Sequence, residues 1–338
     1  MDWKEMRKIA RSKFRGACRV CPVCDGFACA GEVPGMGGAG SGTSFKNNVS
    51  ALAGYRLCLR TVHAVSEPKL ACRILGMDLA FPIMAAPIGG GAMNMNGALT
   101  EMEYASAVVS GCRKVGTIAM TGDGPDPELF LTGIKCLKAE NGKGIPVIKP
   151  RETDRIIELA KMAEAAGAPA FGMDIDTAAF VNMTKAGQKV GPKTRDELAY
   201  IKKNTSIPFI VKGIMMADDA AACLDAGVDA IVVSNHGGRV MDHTPGTAEA
   251  LPYIADAVQG KMTILIDGGI RNGGDVLKML ALGADAVLVG RPIITGAVGG
   301  GMEGVELVLN RMAGELRDAM VLTGTKDVAA VSEDILWY

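Results

Sequence analysis

The chain has only three histidines among its 338 residues, and no excess of either charge. Its 36 lysines and arginines against 37 aspartates and glutamates leave a net charge of −1. Proteins of nucleic acid or membrane surfaces carry a basic face, so this balance argues against both. Long apolar runs are missing too. The longest, Leu79 to Met93, is interrupted by Pro82, Pro87 and three consecutive glycines, and is too short and broken to span a bilayer. The opening residues, Met1-Asp2-Trp3-Lys4-Glu5, are charged and lack the apolar core of a secretory signal, so a cytoplasmic location is expected. In that compartment the nine cysteines are expected as thiols or metal ligands rather than disulfides. Low complexity is absent as well, because the 44 glycines are spread over many short turns.

What is present points to a globular enzyme, with 49% hydrophobic and 22% charged residues in a length that suits one large α/β barrel or two ordinary domains. Three segments share one internal form. Ala165–Met173 is followed by Asp174 and Asp176, Asp225–Val233 by Ser234, and Ala281–Val289 by Gly290-Arg291. In each, a helix ends on a glycine and a buried parallel strand then delivers polar residues at its C-terminal end. Further strands are expected at Phe81–Pro87, Val115–Thr121, Ile145–Pro150, Pro208–Gly213 and Thr263–Gly269, with amphipathic helices such as Thr153–Ala166 and Gly274–Leu282 between them. Eight such units predict a (β/α)8 barrel, the TIM-barrel architecture, with its chemistry at the C-terminal strand ends. A doubly wound open sheet is the alternative, disfavoured because polar residues end nearly every strand rather than one switch-point pair.

The strand-end residues form a consistent set. Ala86-Pro87 is expected to end the first strand, Asp176 the fourth, Lys212 the fifth, and His236 with Arg239 the sixth. The segment Ser234-Asn235-His236-Gly237-Gly238-Arg239 follows β-branched Ile231-Val232-Val233, and its glycines allow a sharp turn against a ligand. A general base beside a carboxylate-binding cation suits a small-molecule active site. The plainer alternative is a histidine that satisfies a buried hydrogen bond. Asp267-Gly268-Gly269-Ile270-Arg271 and Gly290-Arg291 end the seventh and eighth strands, where glycine amides, a helix N-terminus and arginine charge make an anion cradle. A phosphate site after strands seven and eight is usual for this architecture.

From about Ser44 onward these residues resemble the FMN-dependent 2-hydroxy acid dehydrogenase and oxidase family, which includes glycolate and lactate oxidases. The similarity lies in Asn48–Arg60, Leu75–Pro87, Val211-Lys212-Gly213-Ile214, Ser234–Arg239, Asp267–Arg271 and Gly290-Arg291. The resemblance implies oxidation of a 2-hydroxy acid to the 2-keto acid. His236 would take the α-proton or the hydroxyl proton as reducing equivalents pass to flavin N5. Arg239 would bind the carboxylate, Asp176 would stabilise the charged form of His236, and Lys212 would face flavin N1 and O2. The bland alternatives are a helix N-cap for Asp176 and a strand-capping surface lysine for Lys212. FMN contacts are implied at Ala86, Pro87, Thr121, Lys149, Lys212, Ser234, Asp267, Gly268, Gly269, Arg271, Gly290 and Arg291. Residues 1–43 would form a cysteine-rich, helical extension and 44–338 the FMN-binding barrel. The family also implies a homo-oligomer and an acceptor that is oxygen, a quinone or a protein carrier. Two other readings are an FMN barrel of the isopentenyl diphosphate isomerase type, which does not need the His236–Arg239 pair, and a flavoprotein subunit that only passes electrons.

The chain departs from the family where substrate is bound. An expected upstream tyrosine is absent from Val33–Gly38, and a second, after the third strand, is replaced within Ile148–Arg151. A second carboxylate-binding arginine is missing after Asp176, and Val240 stands where glutamine is common. Lys149 or Arg151 could supply the missing cation, with Lys149 preferred because it lies nearer the strand tip. The lid, roughly Thr177 to Thr194, is short, which suits a larger substrate or a protein acceptor.

Cys18, Cys21, Cys24 and Cys29 are a separate signal, spaced C-x2-C-x2-C-x4-C. Thiolates this close together suit metal. The run resembles the ferredoxin iron–sulfur pattern with its last interval one residue longer. A tetrahedral zinc site or free thiols are the alternatives. The other five cysteines, Cys58, Cys72, Cys112, Cys136 and Cys223, are scattered and expected as ordinary buried thiols.

Overall fold

A computed structural model describes residues 1–179, 183 and 185–337. Eight parallel strands close into a barrel: β1 (Ile83–Ile88), β2 (Ala119–Thr121), β3 (Ile145–Ile148), β4 (Phe171–Asp174), β5 (Phe209–Ile214), β6 (Ala230–Val233), β7 (Thr263–Ile266) and β8 (Ala286–Val289). Closure is made by Val287 of β8 against Ile83 of β1. It excludes the open doubly wound sheet. The strands are short and almost wholly apolar, and their period-two alternation serves two cores at once. Met84, Met120, Val147, Ile210, Val232, Leu265 and Leu288 fill the barrel interior. Their neighbours Ile83, Ala119, Ile148, Val211, Ile231, Ile264 and Val287 face the surrounding helices.

The expected elements fall in place with shifted ends. The second strand begins at Ala119, not Val115, because Val115 and Gly116 (φ 78°) close the preceding helix. The seventh stops at Ile266, since Gly268 and Gly269 leave extended backbone at φ 98° and 79°. The expected helices appear at Thr153–Ala165 and Gly273–Ala281. Pro87 lies inside β1, which runs one residue further.

The N-terminal helix Trp3–Lys13 starts at Asp2, whose side chain accepts from the Glu5 backbone N–H, and buries Met6 and Ala10. It packs on the long segment Arg291–Thr323 at Gly299, where a side chain would stand 2.3 Å from the Met6 carbonyl. That segment is long and apolar enough on average for a bilayer, yet it is interrupted at Gly301 (φ 57°, ψ −138°). Its second part carries Glu303, Glu306, Arg311, Glu315, Arg317 and Asp318, a composition for packing against a barrel and not for lipid. A second helix, Thr43–Gly54, leads into the barrel.

Candidate active site

The C-terminal mouth of the barrel gathers buried charge. β4 ends on Asp174, whose carbonyl accepts from the Thr177 hydroxyl at 2.7 Å and closes a 3-10 turn, Ile175–Thr177. Asp176 therefore lies inside this turn, two residues past the strand end where it was expected, and among the described residues it caps no helix N-terminus. Its neighbour on the adjacent strand is Gly213 of β5 (φ 107°), where a Cβ would be 2.5 Å from the Asp176 Cβ. His236 follows β6 with φ 58°, held by a bond from its backbone N–H to the Ser234 hydroxyl (3.0 Å). Its Nδ1 is 3.0 Å from Asp176 Oδ1 and 3.5 Å from Asp174 Oδ1.

Asp174, which the sequence reading left without a role, is the centre of the cluster. Lys149 Nζ of the β3 end lies 2.6 Å from its Oδ2, and Lys212 Nζ of β5 lies 3.0 Å from its Oδ1. Lys212 Nζ also stands 3.8 Å from Asp176 and 3.7 Å from Asp267. It is no surface lysine. Burial opposes charge on each of these groups, and the partners decide the outcome. For Asp174, burial is outweighed by Lys149, Lys212 and His236, which hold the carboxyl well below its ordinary value. Burial disfavours the Lys212 ammonium, but the three carboxylates raise its pKa on balance. His236 likewise ends above its ordinary value, because Asp174 and Asp176 overcome burial. Asp267 is the exception, pushed up by burial despite Lys212 and the Ser234 hydroxyl at 2.7 Å.

Arg239 is half-buried and lines the same cleft as His236, with Nη2 donating to Asn94 Oδ1 at 2.8 Å, and desolvation lowers its pKa to about 10. Asn94 escaped the sequence reading. Its signal was a polar residue just after the glycine run that follows the first strand. Ala86, Pro87, Lys149, Asp174, Lys212, His236, Arg239, Asp267, Gly290 and Arg291 all face one cleft, as do Val33, Pro34 and Met36 of the segment that lacks the tyrosine. Of the two candidate cations, Lys149 lines this cleft. Arg151 pairs instead with Asp123 and with Gln188 Oε1 (2.7 Å). Of the lid, Phe180, Val181, Asn182 and Thr184 lie outside the described residues.

The remaining expected cofactor contacts, Thr121, Ser234, Gly268, Gly269 and Arg271, are not among the residues that line this cleft, and Arg271 borders a second cavity. Thr121 and Ser234 are buried. Gly268 and Gly269 press on Asn48 so closely that a Cβ on Gly269 would be 2.3 Å from the Asn48 carbonyl. Arg291 stacks 3.7 Å over the Phe45 ring and donates to the carbonyls of Met36 (2.8 Å), Gly37 (3.0 Å) and Gly237 (3.2 Å). Burial and the nearby Arg271 charge lower it to about 9. Arg271 Nε donates to the Cys24 carbonyl at 3.1 Å. Among the described residues, Asp176 Oδ2, Arg239 Nε and Arg271 Nη2 are buried without a hydrogen-bond partner. Such atoms mark where a ligand completes the site.

Asp174, Asp176 and His236 also bring ligand atoms within 4.8 Å of one another, a spacing that could take a metal ion. Lys149 and Lys212 already neutralise those carboxylates, so the set is built around ammonium charge.

Charge concentrated at a parallel barrel's mouth, with glycine loops and arginines after its last two strands, defines an enzyme of anionic small molecules with a phosphate-bearing cofactor. The chain belongs to the FMN-dependent dehydrogenase family, whose model matches residues 35–193 and 183–338. It is similar to a 2-hydroxyacid oxidase of Dictyostelium discoideum, 34% identical over 89% of this chain and 84% of that one. An L-lactate oxidase of Lactobacillus jensenii is also 34% identical, over 85% and 76% of the two chains. A crystal structure of mandelate oxidase superposes with a TM-score of 0.80 at 28% identity, covering 99% of this chain and 97% of the other.

The donor set suits FMN. Lys212 would offer an ammonium to the negative charge of a reduced flavin, the end of β1 would offer backbone, and the loops after β7 and β8 would offer glycines with arginines. The cleft's free volume, about 140 Å3, is below the ~300–1,000 Å3 typical of cofactor sites.

The four clustered cysteines surround a second cavity of about 870 Å3, bounded also by Arg271 and Arg291. All four are free thiols and half-buried, and burial pushes Cys18 and Cys29 up. Of the other five, Cys112, Cys136 and Cys223 are buried as expected, whereas Cys58, which follows the short strand Arg56–Leu57, and Cys72, which begins the strand Cys72–Ile74, are only half-buried at two-stranded sheets outside the barrel.

Proposed function

We propose that this protein oxidises a 2-hydroxy acid to the 2-keto acid, with FMN as first electron acceptor. The observation that carries this reading is the Asp176–His236 contact at 3.0 Å in the cleft that Arg239 also lines. Asp176 holds Nδ1, which leaves Nε2 to take the substrate proton and steadies the imidazolium that results. Arg239 and Lys149 bind the substrate carboxylate; a guanidinium gives both charge and orientation. Asn94 fixes the Arg239 fork. Lys212 holds positive charge at the flavin end of the site. FMN, when bound, supplies the two-electron acceptor.

The curated relatives include enzymes named for 2-hydroxy acids and L-lactate, and the similar structures include mandelate oxidase. Here Val33, Met36, Met93 and Leu129 wall the cleft, an apolar lining that favours a side chain larger than methyl. Each added methylene that reaches this wall is worth about 0.8 kcal/mol, or about fourfold in kcat/KM.

Anaerobic mixing with 2-hydroxy acids of increasing side-chain size, followed at the visible flavin band, tests both statements. Bleaching should strengthen from glycolate upward and should fall by about 10^2–10^4 in His236→Ala. FMN-loaded protein that none of the acids bleaches would overturn the reading.

A further inference from the structure

Nothing in the proposed chemistry uses the second cavity, yet it is the larger of the two and is built from conspicuous residues. Cys18, Cys21, Cys24 and Cys29 line it together, within a chain otherwise free of clustered cysteines. We propose that these four thiolates hold an iron–sulfur cluster of the four-iron type.

Two observations favour a cluster over a single ion, and a third favours an anionic thiolate site of either kind. A tetrahedral zinc site with Zn–S near 2.3 Å needs sulfurs ~3.8 Å apart. Among the described residues, no three of these sulfurs lie within 4.8 Å of one another. They stand instead around about 870 Å3 of open space, room for a multi-atom inorganic core. The cavity wall is also strongly cationic. Arg7, Arg11, Arg19, Arg271, Arg291 and Arg311 all border it, against the acids Asp25 and Glu315, in a chain whose overall charge is −1. Four thiolates around iron and sulfide carry net negative charge, and a basic wall stabilises it.

The loop between the cysteines is shaped for sulfur ligation. The Val20 backbone N–H points at Cys18 Sγ, 3.4 Å away, the kind of bond that tunes cluster sulfurs. Val20 is β-branched and yet adopts φ 46°, a conformation such a residue keeps only when its surroundings impose it. Arg7 Nη2 donates to the Val20 (3.1 Å) and Cys21 (2.7 Å) carbonyls, and Arg11 Nη2 to Val20 (3.0 Å), which ties the loop to the first helix. Arg271 ties it to the barrel through the Cys24 carbonyl. Met36 and Arg291 border both cavities, so this site adjoins the active-site cleft.

The full-length protein, purified without oxygen and reconstituted with ferric iron, a thiol reductant that supplies the ferrous fraction, and sulfide, should retain about four iron and four acid-labile sulfide per chain after desalting. Dithionite reduction should then give a low-temperature EPR signal that flavin does not produce. In that protein the four cysteines should resist alkylation while Cys58 reacts, as read by peptide mass spectrometry. Cys21→Ser and Cys24→Ser should each lose at least about fivefold in iron with FMN content kept, and Cys58→Ser should lose none. Zinc at one per chain without sulfide, or four alkylatable thiols after reconstitution, would overturn the proposal. The alkylation and metal counts on the unaltered chain stand even if a serine variant fails to fold.

Discussion

His236 is poised by what surrounds it. Burial alone would keep the ring neutral, but two carboxylates within 3.5 Å raise its pKa above the ordinary value near 6.5. A base must be neutral to act, so kcat/KM should rise with pH through an acid limb above pH ~6.5. Asp176→Asn removes one of the two carboxylates and the oxygen that fixes Nδ1. The limb should then move to lower pH and the rate should drop about 10^2-fold, measured as pH profiles of kcat/KM. A limb that stays in place would assign the shift to Asp174 alone.

At the scale of elements, the loops after β6 and β7 are held by the helix Thr43–Gly54 as well as by their own strands. Asn48 of that helix exchanges amide bonds with Asn235 (2.8 and 3.0 Å), while its carbonyl backs Gly269. Gly269→Ala must therefore displace the helix as well as strain a backbone at φ 79°. It should destabilise the protein by about 1–3 kcal/mol and lower FMN retention. Gly260→Ala is the control, with a similar φ of 67° but nothing within 4 Å. It should lose about 1 kcal/mol and no FMN. Denaturant titration and the flavin-to-protein absorbance ratio separate the two. The same contacts explain why glycine pairs were readable as a close-approach signal, whereas the helix they approach was not.

For the whole molecule, Asp174 links three neighbouring strands, since Lys149 follows β3, Asp174 ends β4 and Lys212 belongs to β5. Side chains only 4–7% exposed make this cluster sensitive to any imbalance. Asp174→Asn leaves two buried ammonium groups short of a carboxylate and should destabilise the fold by about 3–5 kcal/mol. Because the Asp174 pKa is depressed, the native contribution is fully present above the unfolded value near ~4 and fades as pH falls through the folded one. Denaturant midpoints of the two proteins should therefore differ at pH 7 and converge in acid. Equal midpoints at pH 7 would mean that Lys149 and Lys212 are neutralised by Asp176 and Asp267.

The barrel itself was legible in the chain, because an alternation of apolar strand, polar strand end and glycine-capped helix repeats at nearly every turn. So was the grouping of Lys212, His236, Arg239 and the two glycine–arginine loops, since the architecture sends every strand end to one face. Tertiary structure alone decided the rest. Asp174 reads in sequence as one of two neighbouring aspartates, and only the register of β3, β4 and β5 makes it the partner of two lysines. Asn94 and Asn48 act across more than 140 residues of chain, through contacts that no local pattern encodes. The cysteine spacing announced a ligand set, and only the folded loop placed its four sulfurs around a basic cavity that shares Met36 and Arg291 with the active-site cleft.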